Sequence, residues 1–347
     1  MVPERCTFRK PPEFTIERFR PLGTAMTAEL PTPVLTPHPH GITAVDAEYI
    51  RRGLAASHIV QHAGRAAFVD VGTNHSVPYL LAALRELEIP ASAVDFVFLT
   101  HVHLDHAGGA GLLLRALPNA RAVLHPRGAP HLVDPARLVA ASIAVYGEQN
   151  YRALYGELVP IPPERVLLAQ DEARLTLAGR EFELLHTPGH ALHHYCLLDV
   201  AHANVFTGDT FGISYRELDT AAGAFVVPTT TPTQFDPDQL IASVERLLQR
   251  GPEAAYLMHY SRVTGLPRLA ESLKMQIGEL AAIARRHAAR PDRAAAISAD
   301  MSSLWLALAR AHGVVLPESR VMEILGKDLE LNTQGLVAWV DRAVKRA

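Results

Sequence analysis

Cysteine is almost absent from this 347-residue chain, with Cys6 and Cys196 the only two. Two cysteines outside any CxxC pair exclude a disulfide framework and favour a reducing, cytoplasmic setting. An excess of charge of either sign is also missing: 33 Lys and Arg face 36 Asp and Glu, and no basic run stands out. Composition therefore offers no electrostatic footprint for nucleic acid or an anionic membrane. Long apolar runs are absent as well. The first thirty residues never form a continuous apolar core of the kind an export signal needs. The most apolar later stretch, 304–316, is broken by Arg310 and His312 and falls short of the ~20 residues of a membrane span. No repeat or low-complexity tract appears. What the chain does have is a hydrophobic content of 48%, enough to bury a large core.

The organisation reads in three parts. Residues 1–40 carry Pro3, Pro11, Pro12, Pro21, Pro31, Pro33, Pro37 and Pro39, a density that blocks helix and central strand and implies an extended arm. Across 41–265, short apolar runs bounded by turn residues predict strands at 57–61, 66–71, 94–99, 122–124, 166–168, 173–177, 181–185, 194–198, 204–207 and 254–258. Between them, helices are expected at 77–87, 105–117, 134–146 and 237–250, the third opened by Asp134 as cap and Pro135 at its first position. The picture is α/β, sheet on sheet with helices outside. The Gly/Thr-rich stretch 211–231 reads as a loop over a site, its Glu217 and Asp219 as solvated carboxylates. Residues 266–347 are helical, with Leu273, Ile277, Leu280 and Ile283 on one apolar face and further helices expected at 294–311, 318–325 and 334–344.

Chemistry concentrates in Thr100-His101-Val102-His103-Leu104-Asp105-His106-Ala107-Gly108-Gly109, directly after an apolar strand. His101 and His103, two apart in extended backbone, leave on the same face and can share one metal. Asp105 and His106 then project from the start of a helix toward a second. A lone HxH is weak evidence, whereas HxHxDH after a strand and before two glycines is specific. Three later residues also leave strand ends, where function concentrates on a rigid scaffold: His190 in Thr187-Pro188-Gly189-His190, Asp209 in Thr207-Gly208-Asp209, and His259 in Met258-His259-Tyr260. His193 and His194 follow closely enough to line a rim, and Tyr215 and Tyr260 are candidate substrate contacts. His125, His131 and His186 read as packing or rim residues, and Cys196 as a small buried hydrophobe.

In that order, HxHxDH, TPGH, GD and a C-terminal His, the motifs resemble those of the metallo-β-lactamase superfamily over about residues 35–265. The resemblance implies a four-layer αββα sandwich with a helical C-terminal extension and its site at one sheet edge. It implies that His101, His103 and His190 hold one metal, that Asp105, His106 and His259 hold another, and that Asp209 bridges them. Phe68-Val69-Asp70-Val71-Gly72 is similar to the family's early strand, which makes Asp70, with Thr100, a group supporting a ligand imidazole.

Imidazole and carboxylate donors suit two divalent ions, zinc foremost, with iron or manganese as alternatives. Two such ions share a water whose pKa falls toward ~7, so the implied activity is hydrolysis of an ester, thioester, lactone or similar bond in a small, anionic substrate, with Asp105 and Asp209 at the reacting centre. An aspartate at position 209, where secreted β-lactamases commonly place cysteine, resembles the glyoxalase II and lactonase branches. The competing readings are a non-haem iron redox enzyme (persulfide dioxygenase-like or diiron), a phosphodiesterase or nuclease, and a metal-bound sensor. A homo-oligomer is compatible with the apolar helical faces.

Overall fold

The computed structural model describes residues 30–230 and 234–346, so Cys6 and most of the Pro-rich arm lie outside the described residues. The first sheet holds β1 (Leu35–His38), β2 (Ile42–Asp46), β3 (Ala56–His62), β4 (Arg65–Val69), β5 (Val94–Leu99), β6 (Arg121–Leu124) and β7 (Val166–Leu168), bonded in that order. It is antiparallel from β1 to β4 and parallel from β4 to β7. The second sheet holds β8 (Arg174–Leu177), β9 (Arg180–His186), β10 (Tyr195–Asp199), β11 (Asn204–Gly208), β12 (Ala254–Leu257) and β13 (Ser261–Thr264). Within it only β11 and β12 run parallel. Helices α1 (Val77–Glu86), α2 (Leu104–Ala107), α3 (Ala110–Ala116), α4 (Ala129–Val133), α5 (Ala136–Tyr146) and α6 (Glu148–Tyr155) fall in the first half. Then come α7 (Pro237–Leu248), α8 (Leu266–His287), α9 (Arg293–Ala311) and α10 (Glu318–Arg346).

The two-residue period of the strands decides the layering. In β5, Phe98 faces the space between the sheets while Val97 and Leu99 pack with α1 and α3 on the outer side. In β10, Tyr195 and Leu197 meet Phe98 between the sheets, and Cys196 and Leu198 join the outer core with α7 and α8. A strand apolar on both faces must be covered on both, which gives helix, sheet, sheet, helix. The expected αββα sandwich is thus the observed one. Helices α9 and α10 extend the outer core of the second sheet through Trp305, Ile324, Leu325 and Leu336, forming the helical C-terminal extension.

Several elements differ from expectation. The helix expected over 105–117 is two, α2 and α3, parted at Gly108–Gly109. There the Gly109 N–H leaves the helical ladder for the Gly72 carbonyl at 3.0 Å. A side chain at Gly109 would strike the Thr73 backbone, so these glycines serve that close crossing. The segments 318–325 and 334–344 are one continuous helix, because the intervening polar Asp328 and Asn332, one turn apart, are bonded against the loop that contains Tyr215 and Thr230. Asp134 stands one residue outside the cap position of α5, which Pro135 occupies, and its carboxylate accepts from the N–H of the first helical residue, Ala136, at 3.2 Å. Strand β1 falls inside the stretch expected as an arm, at the sheet edge where Pro37 removes no central ladder bond. No described helix is long and apolar enough to cross a membrane.

Candidate metal centre

Strands β4, β5, β9, β11 and β12 all end at one edge of the sandwich, and the residues following them converge there. His101 and His103 leave β5, Asp105 and His106 sit on α2, His190 follows β9, Asp209 follows β11 and His259 follows β12. His101, His103 and His190 present nitrogens to one point: His101 Nε2 lies 2.8 Å and His190 Nε2 3.1 Å from His103 Nδ1. Imidazoles sharing a tetrahedral zinc stand about 3.3 Å apart, given Zn–N of ~2.0–2.1 Å. Asp105, His106 and His259 form a second group, with His259 Nε2 3.3 Å and His106 Nε2 3.9 Å from Asp105 Oδ2. Asp209 stands between the two. Its Oδ2 lies 3.3 Å from His190 Nε2, while Oδ1 lies 3.2 Å from His106 Nε2 and 3.9 Å from His259 Nε2.

Each of four imidazoles is fixed through its other nitrogen. His106 Nδ1 meets Asp70 Oδ2 at 2.9 Å, His101 Nδ1 meets Thr100 Oγ1 at 3.2 Å, His190 Nδ1 meets Thr229 Oγ1 at 2.6 Å and His259 Nδ1 meets the Leu54 carbonyl at 2.8 Å. Such partners set ring orientation and leave Nε2 facing the cluster. Asp70 also accepts from the Thr100 N–H at 2.9 Å and from its hydroxyl. His106 Nε2 and Asp209 Oδ1 are buried and, though 3.2 Å apart, make no aligned hydrogen bond, and leaving such atoms unsatisfied costs about 1–3 kcal/mol each. A divalent cation between the donor groups satisfies both, so the residues present fit two metal ions.

Electrostatics of the bare cluster point the same way. Burial, then neighbouring imidazoles, keeps His101 and His103 neutral well below the usual histidine range, the state in which nitrogen donates to a metal. Burial alone would raise Asp209, yet His106 and His190 pull its carboxyl well below the usual range. Burial opposes a proton on His106, but Asp209, Asp105 and Asp70 hold it well above normal. A buried imidazole that close to three carboxylates demands positive charge, whether a proton or a metal.

A cavity of about 340 Å³ opens from the cluster, reached by His103, Asp105, His193, Asp209 and His259. Tyr215 lies on its wall, its hydroxyl donating to Asp328 Oδ2 at 3.1 Å. Tyr260 does not reach the cavity wall and donates to Asp46 Oδ2 at 3.2 Å. His194 is likewise not a rim residue. Fully buried, it stacks on His101, accepts from the Asp209 N–H at 3.2 Å through Nε2 and meets the hydroxyls of Thr187 and Thr210 through Nδ1. Gly208, at φ +46°, is what allows this approach, since a side chain there would come within 2.7 Å of His194 Nε2. His186 turns away to the Ala169 carbonyl at 2.7 Å. Glu217 pairs with Arg51 and Asp219 with Arg216, outside the cavity wall. Thr229 and the Leu54 carbonyl escaped the sequence reading, and His194 was expected at the rim and not beneath the ligands. Thr229, in the Thr-rich run expected to cover the site, left a trace there, whereas the Leu54 carbonyl left none.

Fold and cluster together define an α/β sandwich protein with a metal-competent histidine–aspartate edge. The chain belongs to the metallo-beta-lactamase superfamily, whose sequence model matches residues 50–259. A metallo-beta-lactamase fold-containing protein of Sulfurisphaera tokodaii is 27% identical over 182 residues, 51% of this chain and 64% of the relative, so the chain spans less than two thirds of that relative's length. A hydroxyacylglutathione hydrolase of Xanthomonas axonopodis is 28% identical over 269 residues, 76% of this chain and 82% of the relative. Among solved structures, a metallo-beta-lactamase family protein of Thermus thermophilus superposes with a TM-score of 0.57 at 20% identity, covering 90% of this chain and 92% of its own. An archaeal superfamily member from Sulfolobus tokodaii superposes at 0.56 with 23% identity, covering 70% and 86%.

Proposed function

We propose that this chain is a dinuclear metal-dependent hydrolase that cleaves an ester, thioester, lactone or similar bond in a small, anionic substrate. The observation carrying the proposal is Asp209, which offers one carboxylate oxygen to each of two three-residue donor groups. His101, His103 and His190 would hold one ion, Asp105, His106 and His259 the other, and Asp209 both. Two divalent ions so held supply a water with its pKa lowered toward ~7 and a positive field for a developing oxyanion. The protein's part is placement. Asp70, Thr100, Thr229 and the Leu54 carbonyl keep the imidazoles in one tautomer, and Asp105 presents a partly exposed carboxylate to the cavity, able to accept a hydrogen bond from the attacking water. Arg137 on the cavity wall favours an anionic group. A relative named as a hydrolase agrees with this chemistry. Zinc as the metal, a cytoplasmic setting and a small molecule as the partner belong to the same proposal.

The test combines metal analysis with turnover. About two zinc ions per chain and hydrolysis within a panel of thioesters, lactones and phosphodiesters are expected, and His103→Ala and Asp209→Ala should lose metal and activity together. Full metal content in both variants would defeat the ligand assignment, and iron with oxygen consumption would replace the hydrolase by a redox enzyme.

A further inference from the structure

The cavity beside the metal centre has a wall whose chemistry the motifs do not describe. Tyr155, Leu104, Tyr151 and Leu158 form an apolar cluster separate from the three sandwich cores, with Tyr49, Leu138, Tyr146 and Leu154 packed on it. Tyr49, Tyr146 and Tyr155 stack edge and face, and the Tyr49 and Tyr155 hydroxyls bond each other at 3.2 Å. Each of these rings faces the cavity, as do Ile50, which is 44% exposed, and Leu331 across from them on α10. Partly exposed apolar side chains gathered around a concavity, rather than scattered over a convex surface, mark a site that gains by covering them.

Polar side chains share this side of the cavity, Arg137 and Ser142 on α5 and Lys327, Asp328 and Asn332 on α10, and those on α10 are engaged: Lys327 pairs with Glu330, and Asn332 accepts from the Thr230 N–H. The tyrosine hydroxyls are engaged with one another, and Tyr215 is engaged with Asp328. Asp105 and Asp209 line the same cavity as Tyr49, Tyr146 and Tyr155. A substrate whose scissile carbonyl lies over Asp105 and Asp209 therefore projects one of its two halves against an aromatic and aliphatic surface. A cavity of about 340 Å³ stands at the small end of the ~300–1,000 Å³ that ligand sites occupy. It suits one compact hydrophobic group and not a long chain.

We infer that the pocket between α10 and the α5–α6 hairpin is an acyl-group site, selecting esters or thioesters with a medium-length aliphatic or aryl acyl chain. The inference rests on the hydrolase reading above. In the reaction, water oxygen bonds to the acyl carbon as the C–S or C–O bond breaks. The acyl group departs as a carboxylate; of the two protons of the water, one goes to the leaving thiol or alcohol and the other to solvent.

A thioester series with one constant leaving group, N-acetylcysteamine, separates the two ideas: acetyl, butanoyl, hexanoyl, octanoyl and benzoyl, assayed with the metal-loaded protein. Apolar burial predicts that kcat/KM rises roughly three- to fourfold per added methylene until the pocket is full, with benzoyl well above acetyl. Binding of octanoate and benzoate, read by calorimetry, should follow the same order without any turnover. Ala141, exposed on α5 and on the pocket wall, gives the occluding variant Ala141→Trp, and Leu331→Asp gives a second variant from the opposite side. Both should flatten the chain-length profile and weaken octanoate binding at least tenfold, with metal content retained. Hydrolysis of all five thioesters at equal efficiency would overturn the acyl site and leave the hydrolase standing. Tight octanoate binding lost in both variants, with no thioester cleaved, would keep the acyl site and overturn thioester hydrolysis. Octanoate binding unchanged in both variants would place the ligand elsewhere.

Discussion

Asp70 shows how much of a candidate metal centre lies behind the residues that would ligate. Its carboxylate takes the His106 ring, the Thr100 N–H and the Thr100 hydroxyl together, and it does so from a left-handed backbone at φ +50°. Asparagine tolerates that backbone but offers one acceptor oxygen instead of two. Asp70→Asn should therefore fold normally and bind metal about 10–100-fold more weakly, as read by competition with a chromophoric chelator. An unchanged affinity would remove Asp70 from the orienting network. At this scale the sequence was informative where function requires a particular side chain. His101, His103, His190, Asp209 and His259 stand out because imidazole and carboxylate at strand exits have few other uses. The groups that aim them were legible only in part. A backbone carbonyl such as that of Leu54 can belong to any residue type, and His194 carries the same side chain as a ligand while working beneath the cluster as an acceptor for the Asp209 N–H.

At the scale of elements, helix α10 does more than extend the fold. It sends Asp328 to the Tyr215 hydroxyl and Asn332 to the backbone N–H of Thr230, the residue after the Thr229 that orients His190. Asn332→Ala would strand that buried N–H and should cost about 1–3 kcal/mol in urea unfolding. A variant as stable as the parent would show that the loop finds another partner. The same contacts explain why α10 was read as two shorter helices. A polar stretch between apolar turns normally signals a linker, and here its side chains are buried against a loop some hundred residues earlier in the chain. Strong period-two strands such as β5, with both faces apolar, were legible to the residue. Edge strand β1, exposed and interrupted by Pro37, carried no such pattern.

For the molecule as a whole, buried histidines tie stability to pH. Burial, with His38 adding to it, pushes His58 down to about 3, and His125 is lowered to about 4 by burial and then by His186. Unfolded, both titrate near 6.5, so below that pH the unfolded chain binds more protons than the folded one and stability falls as pH drops toward 3–4. His58 lies between the sheets, against Phe206 and Tyr256, away from the metal ligands. In metal-free protein, His58→Phe should lose stability less steeply than the parent between pH 6 and 4, by about 1.4 kcal/mol per pH unit, as measured by denaturant titrations at several pH values. Identical slopes would mean that His58 takes up its proton in the folded state. One further consequence follows from where the cavity wall originates. The candidate ligands lie at 101–106, 190, 209 and 259, where strands end, whereas the apolar wall comes mostly from Tyr49 and Ile50, from α5 and α6, and from α10. Reactivity and selectivity thus occupy separate stretches of one chain. On the acyl-site reading, changes in α5, α6 or α10 alter which molecules enter while the strand ends that carry the candidate ligands keep their positions.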